Sequence, residues 1–161
     1  MNALPVMKPY IGGEWIESES QKYTTIYDPS TGKPIAQVPQ CTAGEVEKAI
    51  AAAKAAFPAW KNTPVRNRAS IMMKLRNLIE RDKEELTRMV ATENGKCWSE
   101  AAGDVAKALE MTELACSAPS LLMGESLMDT SKGYDTTLYR EPIGVFAGIA
   151  PWNFPAMIPW V

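Results

Sequence analysis

The chain of 161 residues contains no histidine. Within these residues that excludes histidine zinc sites, Ser-His-Asp triads and Cys-His dyads, each of which needs an imidazole as ligand or general base. Cysteine is scarce as well: Cys41, Cys97 and Cys116 are odd in number, far apart and free of any CxxC spacing. They read as thiols of a reducing compartment, not as a disulfide framework or a thiolate metal site. An excess of either charge is missing too. Lys plus Arg number 17 against 19 Asp plus Glu, a net charge of -2, which supplies no field to attract nucleic acid or an anionic membrane. No run reaches the roughly 18 uninterrupted apolar residues of a membrane span. The start, MNALPVMKPYIGGEW, has neither the basic opening nor the apolar core of a secretory signal. The expectation is a cytoplasmic protein with no nucleic-acid or membrane partner.

What is present begins with turns. Tyr10 to Ile16 places Gly12-Gly13 between aromatic and β-branched residues, the pattern of a short hairpin. Tyr23 to Tyr27 and Lys33 to Val38 flank Asp28-Pro29-Ser30-Thr31-Gly32, a turn in which Pro presets φ and Gly permits φ > 0. A small antiparallel sheet is expected first. Thr42 and Glu45 then have capping-box spacing, and Val46, Ile50, Ala53 and Phe57 recur on one helical face until Pro58, where the helix is expected to stop and Trp60 to cover its packing partner. Thr63-Pro64 reads as the next start, with Ile71, Leu75 and Leu78 inward and Arg66, Arg68, Lys74 and Arg76 in water. Asp82 and Glu85 offer a further capping pair before Leu86, Met89 and Val90, and Gly95 a left-handed stop. A fourth helix from about Ser99 carries Val105, Leu109, Thr112 and Cys116 and closes at Pro119. Cys116 on that stripe is expected to be a buried small hydrophobe; Cys41 and Cys97 have no base in view, and the nine methionines read as adaptable packing.

Asp129 to Thr137 is polar and reads as a turn, with an extended stretch resuming at Leu138. Ile143 to Ala150, IGVFAGIA, is uncharged and apolar throughout, the pattern of a strand buried on both faces. Beyond it Asn153 is the one polar side chain in PWNFP, bracketed by two prolines that stiffen the backbone. Open α/β sheets bind ligands just past the carboxyl ends of their strands, so this is a candidate site edge. Asn153 has two readings from its residues alone: the N-cap of a helix beginning at Phe154, or a group with a chemical role. The apolar run continues into Trp160 and Val161, which reads as part of a longer polypeptide whose remaining sheet lies elsewhere.

The blocks YIGGEW, DPSTGKPIAQVP, ENGK and YREPIGVFAGIAPWNFP, in that order, resemble the NAD(P)-dependent aldehyde dehydrogenase superfamily. Gly103 to Leu127 together with APWNFPAMIP is most similar to its CoA-acylating methylmalonate- and malonate-semialdehyde members. The resemblance implies an α/β fold of which this chain is the N-terminal part: a small β sheet, helices, the first strand of an oligomerisation arm and the first strand of a doubly wound NAD-binding sheet. The implied division is 1–135 for the strand and helical part of the cofactor domain, 136–142 for the start of the arm, and 143–161 for the central strand and active-site segment.

In such enzymes a cysteine thiolate attacks the aldehyde, hydride passes to the nicotinamide of NAD, and the thioester yields its acyl group to coenzyme A or water. That cysteine and the general base would follow Val161, and the 161 residues alone would be inactive. Asn153 matches the oxyanion asparagine, whose amide N–H donates without carrying charge. Ile149, Ala150, Pro151 and Trp152 match the strand end along the adenosine half of NAD. Lys107 stands where related semialdehyde enzymes carry an arginine for the substrate carboxylate; lysine keeps the charge but loses the bidentate fork. A surface helix lysine is the alternative. The resemblance further implies a small aldehyde substrate, a homodimer or homotetramer, and no metal. A hydrolytic aldehyde or succinate-semialdehyde dehydrogenase, and a non-catalytic interaction module, are the competing readings.

Overall fold

The computed structural model describes residues 3–160; Met1 and Asn2 of the opening segment and the terminal Val161 lie outside them. Six strands and five helices follow one another as hairpin, hairpin, helices, hairpin. Strands β1 (Tyr10–Ile11) and β2 (Glu14–Trp15) pair antiparallel, Tyr10 opposite Trp15 with ring centroids 4.8 Å apart. Gly12 and Gly13 both take positive φ, as a tight two-residue turn of this hand requires. Strands β3 (Tyr23–Tyr27) and β4 (Pro34–Pro39) form a separate hairpin. Its turn is held by Asp28, whose carboxylate accepts from Ser30 N at 2.8 Å and whose carbonyl accepts from Gly32 N at 2.8 Å. The expected single sheet is thus two, because no hydrogen bond joins the hairpins among the described residues.

Helix α1 (Ala43–Asn62) starts on the capping box: Glu45 N donates to Thr42 Oγ1 at 3.3 Å and Thr42 N to Glu45 Oε2 at 2.6 Å. It does not stop at Pro58. Proline's φ fits a helix, so the ring's loss of one N–H leaves the ladder continuous on both sides. Thr63 accordingly belongs to this helix and not to the next: its N–H and its hydroxyl both donate to Ala59 O. Helix α2 (Val65–Arg81) therefore begins with Pro64 at its cap and no side-chain acceptor. Trp60 is exposed, and Arg68, expected in water, lies over its ring at 6.0 Å.

Asp82 sits between α2 and α3 (Lys83–Asn94) with φ -99 and ψ 11, outside the extended conformation that aims a cap side chain at the helix. Arg81 takes both its carboxylate oxygens at 2.7 and 2.6 Å, so the Asp82–Glu85 capping pair does not form. Gly95 closes α3 at φ 74, as expected. Helix α4 (Trp98–Cys116) packs on α2 and α3 around Ile79, Val90, Ala101 and Val105, with Leu75, Leu86, Ala91 and Leu109 against them.

Val105 and Thr112 are buried and Leu109 half-buried, as the periodicity predicts, while Cys116 is only half-buried. On α2 the packed face is Ala69, Leu75 and Ile79; Ile71 and Leu78 are exposed. Met89 on α3 and Val46 and Ile50 on α1 are exposed as well. Pro119 does not end the helical region but opens the short α5 (Ala118–Leu121), where a proline in the first turn displaces no bond.

The polar stretch expected as a turn is the tip and second strand of a third hairpin, β5 (Glu125–Ser131) with β6 (Tyr134–Leu138), exposed along its whole length. Residues Ile143 to Ala150 form no ladder among the described residues and are largely exposed. The apolar pattern that predicts a strand covered on both faces is there, but a parallel strand takes its partners and covers from neighbouring elements, and these helices supply neither.

Candidate functional site

Three polar side chains from the end of α3 and the middle of α4 converge on the segment after the apolar run. Asp104 is 2% exposed within the apolar face of α4, between Ala101 and Ala108. Its carboxylate accepts from Met157 N at 2.9 Å, from Ala156 N at 3.4 Å and from Lys96 Nζ at 3.2 Å. A charge buried without partners is costly, and this one has a counter-ion and two backbone donors. The same Lys96 ammonium lies 4.3 Å from the centre of the Phe154 ring, within cation–π range. At the last residue of α3, Asn94 Nδ2 donates to Trp152 O at 2.8 Å.

The segment is therefore gripped at Trp152, Phe154, Ala156 and Met157, on both sides of Asn153. None of these bonds uses the Asn153 side chain, which is exposed. The helix-cap reading of Asn153 is not realised. Residues 152–157 form turns, closed by Ile158 N donating to Phe154 O at 3.1 Å, and only the 3-10 turn Ile158–Trp160 follows. The reason is local: a cap at Asn153 would bond the amides of residues 155 and 156, and Pro155 has no N–H while that of Ala156 goes to Asp104. Among the described residues the amide of Asn153 is left with both donors and its acceptor available.

On the amino side of the grip, Ile149 is 101% exposed, and Trp152 presents its ring to solvent. The carbonyls of Ile149, Ala150 and Pro151 make no backbone hydrogen bond among the described residues, whereas that of Trp152 is taken by Asn94. These residues thus form an apolar ledge with free acceptors. A cavity of about 370 Å³ opens behind it between α3, α4 and the segment, lined by Met89, Val90, Val105, Trp152, Pro155 and Trp160 among others. Lys107 stands apart: its ammonium pairs with Glu110 at 2.6 Å, its side chain is 56% exposed, and it takes no part in the bonds that hold 152–157. Cys41 and Cys97 are exposed; Cys97 Sγ lies 3.2 Å from Ser99 Oγ. No cluster of metal-ligating side chains occurs among the described residues.

The model of the aldehyde dehydrogenase family matches residues 15–161, the helices, the grip and the Asn153 segment included. The chain belongs to the aldehyde dehydrogenase family. It is similar to malonate-semialdehyde dehydrogenase 2 of Bacillus thuringiensis (strain Al Hakam), 47% identical over 154 residues, which are 96% of this chain and 32% of that protein. It is also similar to the human mitochondrial methylmalonate-semialdehyde/malonate-semialdehyde dehydrogenase [acylating], 44% identical over 98% of this chain and 30% of that one. Among solved structures, a Sinorhizobium meliloti 1021 protein crystallised with NAD and assigned as a methylmalonate-semialdehyde dehydrogenase superposes with a TM-score of 0.94 at 32% identity, over 99% of this chain and 33% of that one. The chain thus spans about a third of the length of these relatives, and its α/β fold with small antiparallel hairpins matches the N-terminal portion of the aldehyde dehydrogenase fold.

Asn94, Lys96 and Asp104 are the residues that sequence reasoning passed over. A signal for Asp104 existed: a carboxylate placed on the buried face of an otherwise apolar stripe, one residue before Val105. A buried polar group is informative where an exposed one is not.

Proposed function

We propose that this chain supplies the N-terminal third of an NAD-dependent aldehyde dehydrogenase that converts a small semialdehyde to an acyl-CoA, and that these 161 residues alone are catalytically inactive. The observation that carries the reading is the Asn153 amide, exposed and unbonded on a segment fixed on either side. When a nucleophile adds to an aldehyde, negative charge develops on the former carbonyl oxygen. An uncharged N–H donor such as Asn153 Nδ2, carried on a backbone held on either side, stabilises that charge, whereas aspartate there would repel it.

Ile149, Ala150, Pro151 and Trp152 would hold the adenosine half of NAD, whose nicotinamide accepts the hydride when bound. The fit rests on the ledge itself: apolar surface for an adenine face and unbonded carbonyls for ribose hydroxyls. Trp152 would contribute its ring and not its carbonyl, which Asn94 occupies. Lys107 would meet a substrate carboxylate in competition with Glu110, to which its ammonium is already paired.

Coenzyme A as acyl acceptor, a homodimer or homotetramer and a cytoplasmic location belong to the same proposal, and the likeness to acylating semialdehyde enzymes supports the first. The domain division 1–135, 136–142 and 143–161 is carried into it, with the start of the arm falling on β6 of the third hairpin. Among the described residues no helix is long and apolar enough to cross a membrane.

The test uses the full-length enzyme with malonate or methylmalonate semialdehyde and NAD, with and without coenzyme A, following NADH and thioester together. Thioester formed in step with NADH is the expected result; free acid formed equally well without coenzyme A overturns the acylating assignment in favour of a hydrolytic enzyme. Asn153→Ala is expected to slow single-turnover acylation by roughly 10²–10³-fold, about 3 to 4 kcal/mol, with NAD affinity retained.

A further inference from the structure

We infer that Asn94, Lys96 and Asp104 form a positioning frame that fixes the backbone turn from which the Asn153 amide projects; the inference rests on the oxyanion role proposed above. Among the described residues the Asn153 side chain has no bond of its own, and Pro151 and Pro155 restrain φ but not the orientation of the whole turn. Orientation comes from the frame. Asn94 holds the carbonyl one residue before Asn153, Lys96 the ring one residue after, and Asp104 the amides three and four residues after.

The three are coupled, because the Lys96 ammonium that lies on Phe154 is the counter-ion of the Asp104 carboxylate, at 3.2 Å and with the Asp104 side chain wholly enclosed. They also share one corner of the fold: Asn94 ends α3, Asp104 lies mid-α4, and Lys96 is in the connection between them, next to the left-handed Gly95. The α3–α4 corner is thereby the mount on which the donor is carried. A misplacement of about 1 Å at a reacting centre can lower a rate by roughly 10²-fold, so a mount that never touches substrate still bears on turnover.

A frame acting through Asn153 and a frame that merely supports folding differ in a double-mutant cycle. In the full-length enzyme, Asp104→Ala and Asn94→Ala are each expected to lower kcat, Asp104→Ala by about 10-fold or more and Asn94→Ala by less, with KM for NAD within about twofold of the unsubstituted enzyme. Added to Asn153→Ala, either substitution is expected to slow acylation no further than about twofold, since the donor it would misdirect is already gone. Amide exchange in a peptide spanning 152–160 is expected to speed up in Asp104→Ala.

Full multiplication of the two effects in the double variants overturns the inference, as does unchanged turnover in Asp104→Ala and Asn94→Ala alongside a slow Asn153→Ala. If Asp104→Ala does not fold, the Asn94→Ala cycle decides alone, because that substitution removes a single bond at a helix end. If Asn153→Ala itself acylates at the normal rate, the oxyanion reading fails and this inference falls with it.

Discussion

Glu45 is 1% exposed although it lies in the first turn of α1. Its carboxylate closes the capping box and also accepts from Glu19 N at 3.0 Å, so one side chain ties the loop before β3 to the helix. The Thr42 backbone N–H foremost, then the Ser18 hydroxyl, hold its carboxyl at about 2, well below the ordinary 4.5. A group whose value is depressed on folding contributes stability that is present above its unfolded value and is lost as pH falls toward the folded one. Glu45→Gln is therefore expected to be less stable than the unsubstituted protein at pH 7, with the difference shrinking as pH falls from about 4.5 toward about 2. Urea midpoints at pH 7, 4 and 3 read this directly. This residue was legible in the sequence because both partners of a capping box lie three positions apart. For Asp104 only its place on the buried stripe of α4 could be read; its backbone partners come 52 and 53 residues later, and spacing along the chain carries no trace of them.

Element ends separate into those set by local chemistry and those set by neighbours. Gly95 closes α3 as its sequence announces, and it has a second task that the sequence hides. A Cβ built there would lie 2.8 Å from Pro29 Cγ in the β3–β4 turn, so the hairpin docks on the helix end because that position carries no side chain. Gly95→Ala combines a left-handed φ, worth about 1–2 kcal/mol against any L-residue with a side chain, with that overlap. Chemical denaturation is expected to show a loss above about 2 kcal/mol, and a loss of only about 1–2 kcal/mol would mean the turn moves aside and the left-handed φ alone costs stability. Where the expected starts and stops of α1, α2 and α3 fail, the reason is competition. Thr63 serves the helix behind it, Asp82 is taken by Arg81, and Pro58 is absorbed by a helix long enough to lose one bond. On α2 the chain has apolar residues on more than one side, so periodicity proposes a face at Ile71 and Leu78 while α4 selects the one at Ala69 and Ile79.

At the scale of the whole molecule, the core is the meeting of α2, α3 and α4, and much else that is apolar stays outside it. Val46 and Ile50 on α1, the β5–β6 hairpin, and Ile143, Phe146 and Ile149 are all open to solvent. Large apolar side chains left open on three separate elements offer surface that another body could bury. The 161 residues produced alone are expected to bind a hydrophobic dye strongly and to associate as concentration rises, measured by dye fluorescence and light scattering; a dye-silent monomer would show that these faces are covered internally. The hairpins and amphipathic helices were readable here from turn signals and periodicity and the fold class from the resemblance to a family, but the number of sheets was not, since no local signal says which hairpins share hydrogen bonds. All five tryptophans, Trp15, Trp60, Trp98, Trp152 and Trp160, belong to that open surface, distributed from the first hairpin to the last turn. Indole emission shifts to shorter wavelength on leaving water, so the molecule carries its own optical gauge of how completely its outer faces have found their cover.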